Sequence, residues 1–402
     1  MRRRSLSGRL FQFVVVLTVV SLFIYLLLYT AHFKNDIYGP DFQWLKTRNV
    51  SIWKNSNIHS LFIFMNIFQM SEYIRPQVKT ILREPNHPIC KSEDKLRLLV
   101  LIYSSPQNYE KRRIIRKTWG KAFAKFPGVR LLFLLGQSPL GLESDIETEA
   151  SKYEDMVQED FIDTFVNLTL KATFMFKWIT ANDCLSAKFL FKVDDDTFVN
   201  PDELWSSLEH SLLHSATTKS LLPFMKKQAL KHDKNYAPSA ATLSESIDYL
   251  VMGRLTASVP IRDMTHKLYL PTKFYPLNIF PKHLSGSGYV ISMSIVPLLY
   301  ECMLRTPFMN LEDVMLTGLC ATTQMGLQLT DNPLFRSKKP PISSDYLCFY
   351  KKSAFVHGLS SSEMDDMWIR INEEHNCDTF YFAFVQYLTS FVDIVKNIFR
   401  LI

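Results

Sequence analysis

Hydrophobic and polar positions divide the chain into unlike stretches. Phe11–Thr30 runs for twenty residues without a charge; as a helix it would be about 30 Å long, the thickness of a bilayer core. Residues 31–85 are polar and aromatic without a steady period, apart from the apolar Leu61–Phe68. From residue 90 onward, short apolar runs alternate with amphipathic stretches, the pattern of an α/β domain. Leu98–Ile102 and Val129–Leu135 read as strands, the second ending at Gly136, with a basic helix over Gln107–Trp119 between them and Gly120 as its stop. Phe161, Phe165, Leu168, Ala172, Phe176 and Ile179 recur at intervals of 4, 3, 4, 4 and 3 and predict one long helix. Phe189, Leu190, Phe191 and Val193 predict a buried strand that ends abruptly in Asp194, Asp195 and Asp196. Residues 211–247 read as an inserted polar loop. Tyr249–Met252, Tyr289–Ile291 and Ser353–Val356 read as further strands, and Ser360–Ser362 caps a helix through Trp368. The apolar tail 378–402 carries Asp393, Lys396 and Arg400 and so reads as a packed or interfacial helix, not a second span.

Charge changes the picture at the N-terminus. Of the formal +7, Arg2, Arg3, Arg4 and Arg9 supply four, leaving +3 for residues 11–402. No basic stripe interleaved with aromatics occurs, which argues against a nucleic-acid partner. Arginines ahead of the apolar run put a tail over 1–10 in the cytosol, an anchor at 11–30, a stem over 31–85 and a folded domain over 86–377 across the membrane. A cleaved signal peptide is the alternative, with a shorter apolar core and a small-x-small end that are not found here. All six cysteines follow the anchor and none forms C-x-x-C, so three disulfides are expected over a metal site. Asn49-Val-Ser51 is a sequon suited to a lumenal segment; Asn167-Leu-Thr169 lies inside the expected helix.

Three adjacent carboxylates at a strand end repel one another, and a hard divalent cation, Mg²⁺ or Mn²⁺, relieves that repulsion while bridging to substrate phosphates. In extended backbone Asp194 and Asp196 share one face and Asp195 takes the other. A solvated acidic turn is the plain alternative. Arg112 and Arg116 lie four apart on one helix face, at a strand-to-helix junction where α/β sheets bind nucleotides, or else form a solvated basic face. His283–Tyr289 holds Gly286 and Gly288 in a chain with only twelve glycines, and suggests a substrate wall. Glu312-Asp313 opens a predicted helix through Leu319 and offers either a general base or an N-cap. His357 follows the strand-like Ser353–Val356 and could complete a carboxylate-poor metal shell.

These pieces, in order, resemble the β-1,3-glycosyltransferase family of the secretory pathway, which includes β-1,3-galactosyl- and β-1,3-N-acetylglucosaminyltransferases. The resemblance spans about 90–377 and rests on RRIIRKTWG (112–120), FLLG (133–136), EDFIDTFVNLTLKA (159–172), AKFLFKVDDDTFVNP (187–201), PIRD (260–263), YP followed by SGSGYVIS (275–292), LEDV (311–314) and the Cys348…His357…Trp368…Cys377 run. It implies a GT-A nucleotide-sugar-binding fold and a Mn²⁺-dependent inverting transfer from a UDP-sugar, first UDP-galactose and alternatively UDP-N-acetylglucosamine, to a 3-hydroxyl of an acceptor glycan. It also implies a single-pass type II protein of the Golgi membrane. By position, Asp194–Asp196 is the DxD element with Asp196 a direct ligand, and His357 joins the metal shell. Arg112, Arg116 and Lys171 hold the nucleotide side, Asp194 and Asp195 adjoin it, and Asp313 is the general base with Glu312 its neighbour. Phe165, Ala172, Leu284 and the later glycine, Gly318, depart from the family pattern. The expected disulfides are Cys348–Cys377, Cys302–Cys320 and Cys90–Cys184. A member that has lost catalysis and serves as a lumenal binding protein is the rival reading, which the intact Asp194, Asp196, Asp313 and His357 oppose.

Overall fold

The computed structural model describes residues 70–90, 95–138, 140–214, 217–219, 247–272, 275–340 and 347–373, all within one compact unit, Met65–Ile402. The expected anchor Phe11–Thr30, Asn49, Cys377 and the tail 378–402 lie outside the described residues; among those described, no helix is long and apolar enough to cross a membrane.

The strands are β1 (Ile81–Arg83), β2 (Leu98–Tyr103), β3 (Val129–Gln137), β4 (Met156–Ile162), β5 (Phe189–Asp194), β6 (Thr197–Val199) and β7 (Thr217–Lys219). They continue with β8 (Ile247–Tyr249), β9 (Val251–Thr256), β10 (His283–Ser292), β11 (Thr330–Asp331), β12 (Phe335–Arg336) and β13 (Phe355–His357). Eight of them form a mixed sheet in the order β1-β4-β3-β2-β5-β10-β9-β11. β4, β3, β2 and β5 run parallel, and β10 pairs antiparallel with β5. The helices are α1 (Met70–Ile74), α2 (Tyr109–Lys117), α3 (Trp119–Ala122), α4 (Glu143–Tyr153), α5 (Leu168–Ala181), α6 (Pro201–His214) and α7 (Val296–Arg305). A π-helix (Val314–Gln324), α8 (Leu347–Lys351) and α9 (Ser361–Ile371) complete the set.

The sequence of β2, LLVLIY, has no polar position because both faces of the sheet are covered. Leu99, Leu101 and Tyr103 join the core that contains α5 and α7, whereas Leu98, Val100 and Ile102 join the core beneath α2, α3, α6 and α9. Parallel strands feeding into helices place their C-terminal ends along one rim, where the acidic triplet sits.

Several expectations change. The period from Phe161 to Ile179 is not one helix: Phe161 lies in β4, Phe165 lies in a 3-10 turn, and only Leu168–Ala181 is α-helical. Buried strand and buried helix each contributed apolar residues, and their spacings joined by coincidence. Gly120 does not stop the helical run, which continues in α3; a Cβ there would lie 2.6 Å from the Ile115 carbonyl oxygen, so glycine serves close packing. Packing also begins before residue 86, with Met70 and Ile74 fully buried and β1 paired to the edge strand β4. The insertion starts later than 211, since α6 runs to His214; β7 and β8 then pair as its antiparallel base. The segment after Asp313 is a π-helix that extends past Leu319, and the Thr322 and Thr323 hydroxyls donate to carbonyls five residues back. Cys302–Cys320 ties it to α7, and Cys90–Cys184 is also formed, as expected. Cys348 is disulfide-bonded as well. The α9 cap is the expected one, with Ser360 and Glu363 forming a reciprocal capping box.

Candidate active site

β5 ends at Asp194 and the chain turns through Asp195-Asp196 into β6, whose antiparallel pairing with β13 sets Thr197 opposite His357. The imidazole thereby reaches the acidic turn although 161 residues separate His357 from Asp196. Asp194, Asp196 and His357 form a cluster whose ligand atoms all lie within 4.8 Å of one another. His357 Nε2 stands 3.1 Å from Asp196 Oδ1 and 3.9 Å from Asp194 Oδ2. Its Nδ1 faces the Ser337 carbonyl at 3.2 Å and donates to it, so a neutral ring turns a bare Nε2 towards the carboxylate. Asp196 Oδ1 is buried without a hydrogen-bond donor. Two lone pairs facing each other need a cation or a proton between them, and an oxygen–oxygen–imidazole set suits a divalent metal. The electrostatics agree: burial and Asp196 raise the Asp194 carboxyl. Burial works against a charge on both His357 and Asp196, but their mutual attraction outweighs it, raising the imidazole and lowering the carboxyl.

Asp195 points away, as strand alternation required. Its carboxylate accepts from Asn108 Nδ2 at 2.8 Å and Lys111 Nζ at 3.0 Å, tying the acidic turn to the start of α2. Arg112 and Arg116 do share a face, but they are engaged inside the protein. Arg112 is fully buried, and its donors go to Glu149, the Ser104 hydroxyl and the Ser105 and Pro106 carbonyls. That accounts for all five N–H groups and leaves none for a phosphate. Arg116 pairs with Glu149 and Asp155 and lies over the Tyr153 ring at 3.9 Å. Lys171, also buried, donates to Asp163 and to the Ser104 carbonyl at 2.7 Å. Arg112 and Lys171 thus grip the same residue, and their direct work is to shape the loop leaving β2.

On the other side of the triplet, Lys192 and Asp194 are two apart on β5 and share a face. Lys192 Nζ donates to Asp194 Oδ1 at 2.7 Å and to the Gly286 carbonyl, and lies 4.3 Å from the Tyr103 ring centre. Gly286 N–H in turn donates to Asp313 Oδ2 at 3.2 Å, while Asp313 Oδ1 caps the π-helix through Val314 N–H at 2.9 Å. The cap alternative for Asp313 is thus realised, and its other carboxylate oxygen faces Gly286. Glu312 points inward instead and accepts from the Tyr289 hydroxyl. Gly288 owes its lack of a side chain to packing, since a Cβ would meet the Phe355 ring at 2.9 Å. Of the expected glycine-lined wall, only Gly286 is at the site.

Burial pushes the Glu312 carboxyl from its ordinary 4.5 up to about 7, with Asp313 adding to the rise and Lys192 and Tyr289 opposing it. A carboxyl raised on folding contributes its stability below the unfolded value, and that contribution is lost as pH climbs through the folded one. The shift corresponds to about 3 kcal/mol lost between roughly pH 4.5 and 7. Glu312→Gln, neutral throughout, should flatten the stability–pH curve over that window. Urea unfolding in EDTA at pH 5 and pH 7.5 checks it; equal pH dependence in both proteins would show the acid ionised throughout.

Lys111, Glu149 and Lys192 were not singled out from the sequence. Only Lys192 left a usable sign, a lysine inside an otherwise apolar buried strand two residues before the first aspartate.

The galactosyltransferase family model matches residues 110–246 and 239–333. The beta-1,3-galactosyltransferase 1 proteins of Mus musculus and Homo sapiens are each 33% identical over 293 residues, 72% of this chain and 77% of theirs. Lactosylceramide 1,3-N-acetyl-beta-D-glucosaminyltransferase A of Xenopus laevis is 30% identical over 295 residues, 70% of this chain and 68% of its own. Among solved structures, a glycosyltransferase involved in the glycosylation of the major capsid of PBCV-1 is similar over 68% of this chain and 99% of its own, at 12% identity and a TM-score of 0.33. That likeness is too slight to carry an argument. The family match and the two sets of relatives suffice: this chain belongs to the β-1,3-glycosyltransferase family and is a glycosyltransferase.

Proposed function

We propose that the protein is an inverting transferase of the GT-A type that moves galactose from UDP-galactose to the 3-hydroxyl of an acceptor glycan, using Mn²⁺. The observation that carries this is the orphaned Asp196 Oδ1 facing His357 Nε2 beside Asp194, with Asp313 joined to Asp194 through Gly286 and Lys192. Asp194, Asp196 and His357 would hold the divalent ion, which when bound stabilises the charge of the departing diphosphate. The chain's own residues do the rest. Asp313 takes the proton from the attacking acceptor hydroxyl, and a single displacement needs no protein nucleophile. Arg112 and Lys171 fix the Ser104–Pro106 loop so that its backbone and neighbouring side chains receive the nucleotide, and Asp195 locks the start of α2 to the acidic turn. A parallel β3-β2-β5 core with the DxD element at its rim supports the GT-A assignment.

UDP-N-acetylglucosamine is the second donor reading, because one relative's name gives that sugar and the other's gives galactose. The arginines before Phe11–Thr30 and the disulfides formed in the described residues support a type II Golgi membrane protein with its domain in the lumen. One experiment tests these points together. Microsomes bearing the full chain, sealed or opened with detergent, are given Mn²⁺, a panel of UDP-sugars and a non-permeant glycan acceptor. We expect galactose transfer that appears only on opening. Transfer from UDP-N-acetylglucosamine alone would reassign the donor, transfer in sealed vesicles would reverse the topology, and no turnover at all would leave a binding protein.

A further inference from the structure

The displacement outlined above leaves Lys192 without a role, yet this residue joins both halves of the site. It is 2% exposed in a strand covered on both faces, where an apolar side chain is the natural occupant. A buried ammonium is expensive unless each donor is met and its charge is balanced. Here Asp194 Oδ1 and the Gly286 carbonyl receive it, and the rings of Tyr103 and Tyr289 lie 4.3 and 5.6 Å away. Gly286 is then held from both ends, its carbonyl by Lys192 and its N–H by Asp313. The connection runs from metal ligand to lysine to backbone to carboxylate, with no other side chain between. An ammonium touching a metal ligand also repels the cation that the ligand is meant to hold.

We infer that Lys192 is a positioning residue that keeps Asp313 in register with Asp194, and that it does so while weakening the hold of the site on its divalent ion. This rests on Asp194, Asp196 and His357 being the metal site and Asp313 the proton acceptor. It sets Lys192 apart from a scaffold lysine, whose loss would impair metal binding and turnover together.

The test uses the detergent-solubilised full chain as wild type, Lys192→Gln and Lys192→Arg. Mn²⁺ binding is read by electron paramagnetic resonance, and UDP release is separated into transfer to the glycan and hydrolysis by water. For Lys192→Gln we expect Mn²⁺ to bind about three- to tenfold more tightly, since a neighbouring positive charge is gone. Transfer should fall by about a hundredfold, the scale of a misplaced acceptor, with hydrolysis falling less, so the transfer-to-hydrolysis ratio drops. Lys192→Arg keeps the charge and should bind Mn²⁺ as the wild type does, with a ratio between the other two. If Lys192→Gln loses its cooperative melt, Lys192→Arg carries the test, and a wild-type ratio in it overturns the inference. Weaker Mn²⁺ binding in a folded Lys192→Gln, or an unchanged ratio, also overturns it. Wild-type protein that binds no Mn²⁺ would instead refute the metal site, whereas wild-type binding without tightening in Lys192→Gln refutes the role of Lys192 alone.

Discussion

Asp313→Asn is expected to abolish sugar transfer while leaving Mn²⁺ and UDP binding nearly unchanged. The carboxylate is half-buried at the site rim, and it accepts from the Gly286 and Val314 amides, not from the Asp194–Asp196–His357 cluster. An acceptor hydroxyl that attacks without a base loses a factor on the order of 10²–10⁴. Asparagine keeps one oxygen for one of the two amides and turns an NH₂ towards the other, a loss of about 1 kcal/mol in stability. The fold should therefore survive, and the missing activity will report chemistry. Glu312→Gln supplies the contrast: that side chain is buried against the Tyr289 hydroxyl and cannot reach an acceptor, so its transfer rate should fall far less. Single-turnover transfer and equilibrium UDP binding on both variants check this. A fully active Asp313→Asn beside a dead Glu312→Gln would move the base to Glu312, and two active variants would place catalysis elsewhere.

Asp196→Asn should remove Mn²⁺ binding and lower turnover by orders of magnitude without destabilising the metal-free protein at alkaline pH, where the His357 ring is neutral; at lower pH the lost His357–Asp196 attraction costs stability. The geometry makes the second half of this expectation specific. Asp196 Oδ1 meets His357 Nε2 at 3.1 Å, two acceptors facing each other when the ring is neutral. An asparagine amide placed there donates to Nε2 and satisfies both groups. Metal affinity should fall by more than the roughly 10- to 100-fold typical of losing an outer-shell partner. Thermal melts with and without Mn²⁺ read both effects: the wild type gains stability from the ion, and the variant does not. A variant that melts lower in EDTA and still responds to Mn²⁺ would remove Asp196 from the ligand set. His357→Ala should show a weaker version of the same loss, since two carboxylates remain.

Much of this protein was legible before any coordinates. The β2 and β5 strands were, because a sheet covered on both faces demands apolar runs, broken in β5 only by Lys192, and such runs are local. The capping box at Ser360 and Glu363 was, because its two hydrogen bonds span three residues. The acidic triplet was, because like charges at a strand end call for a cation whatever surrounds them. Alternation along the strand already sent Asp195 away from Asp194 and Asp196, and the structure keeps that division.

What spacing could not carry is which distant group meets each side chain. Arg112 and Arg116 lie on one helix face in either reading, but only the tertiary fold brings Glu149 of α4 and Asp155 of the turn before β4 to them, turning expected phosphate forks into internal clamps. The interval pattern from Phe161 to Ile179 was genuine, yet apolar residues of a buried strand and a buried helix look alike until neighbours separate them. Glu312 and Asp313 are adjacent and chemically almost the same; only the entry into the π-helix turns one towards Tyr289 and the other towards Gly286. The sequence by itself determined the β2 and β5 strands, the α9 cap, the acidic rim and the disulfide-bonded state of the described cysteines, since each follows from residues close along the chain or from composition. The tertiary structure alone decided the partners of the buried charges, because ion pairs and shared hydrogen bonds act between groups that are near in space and far apart in sequence.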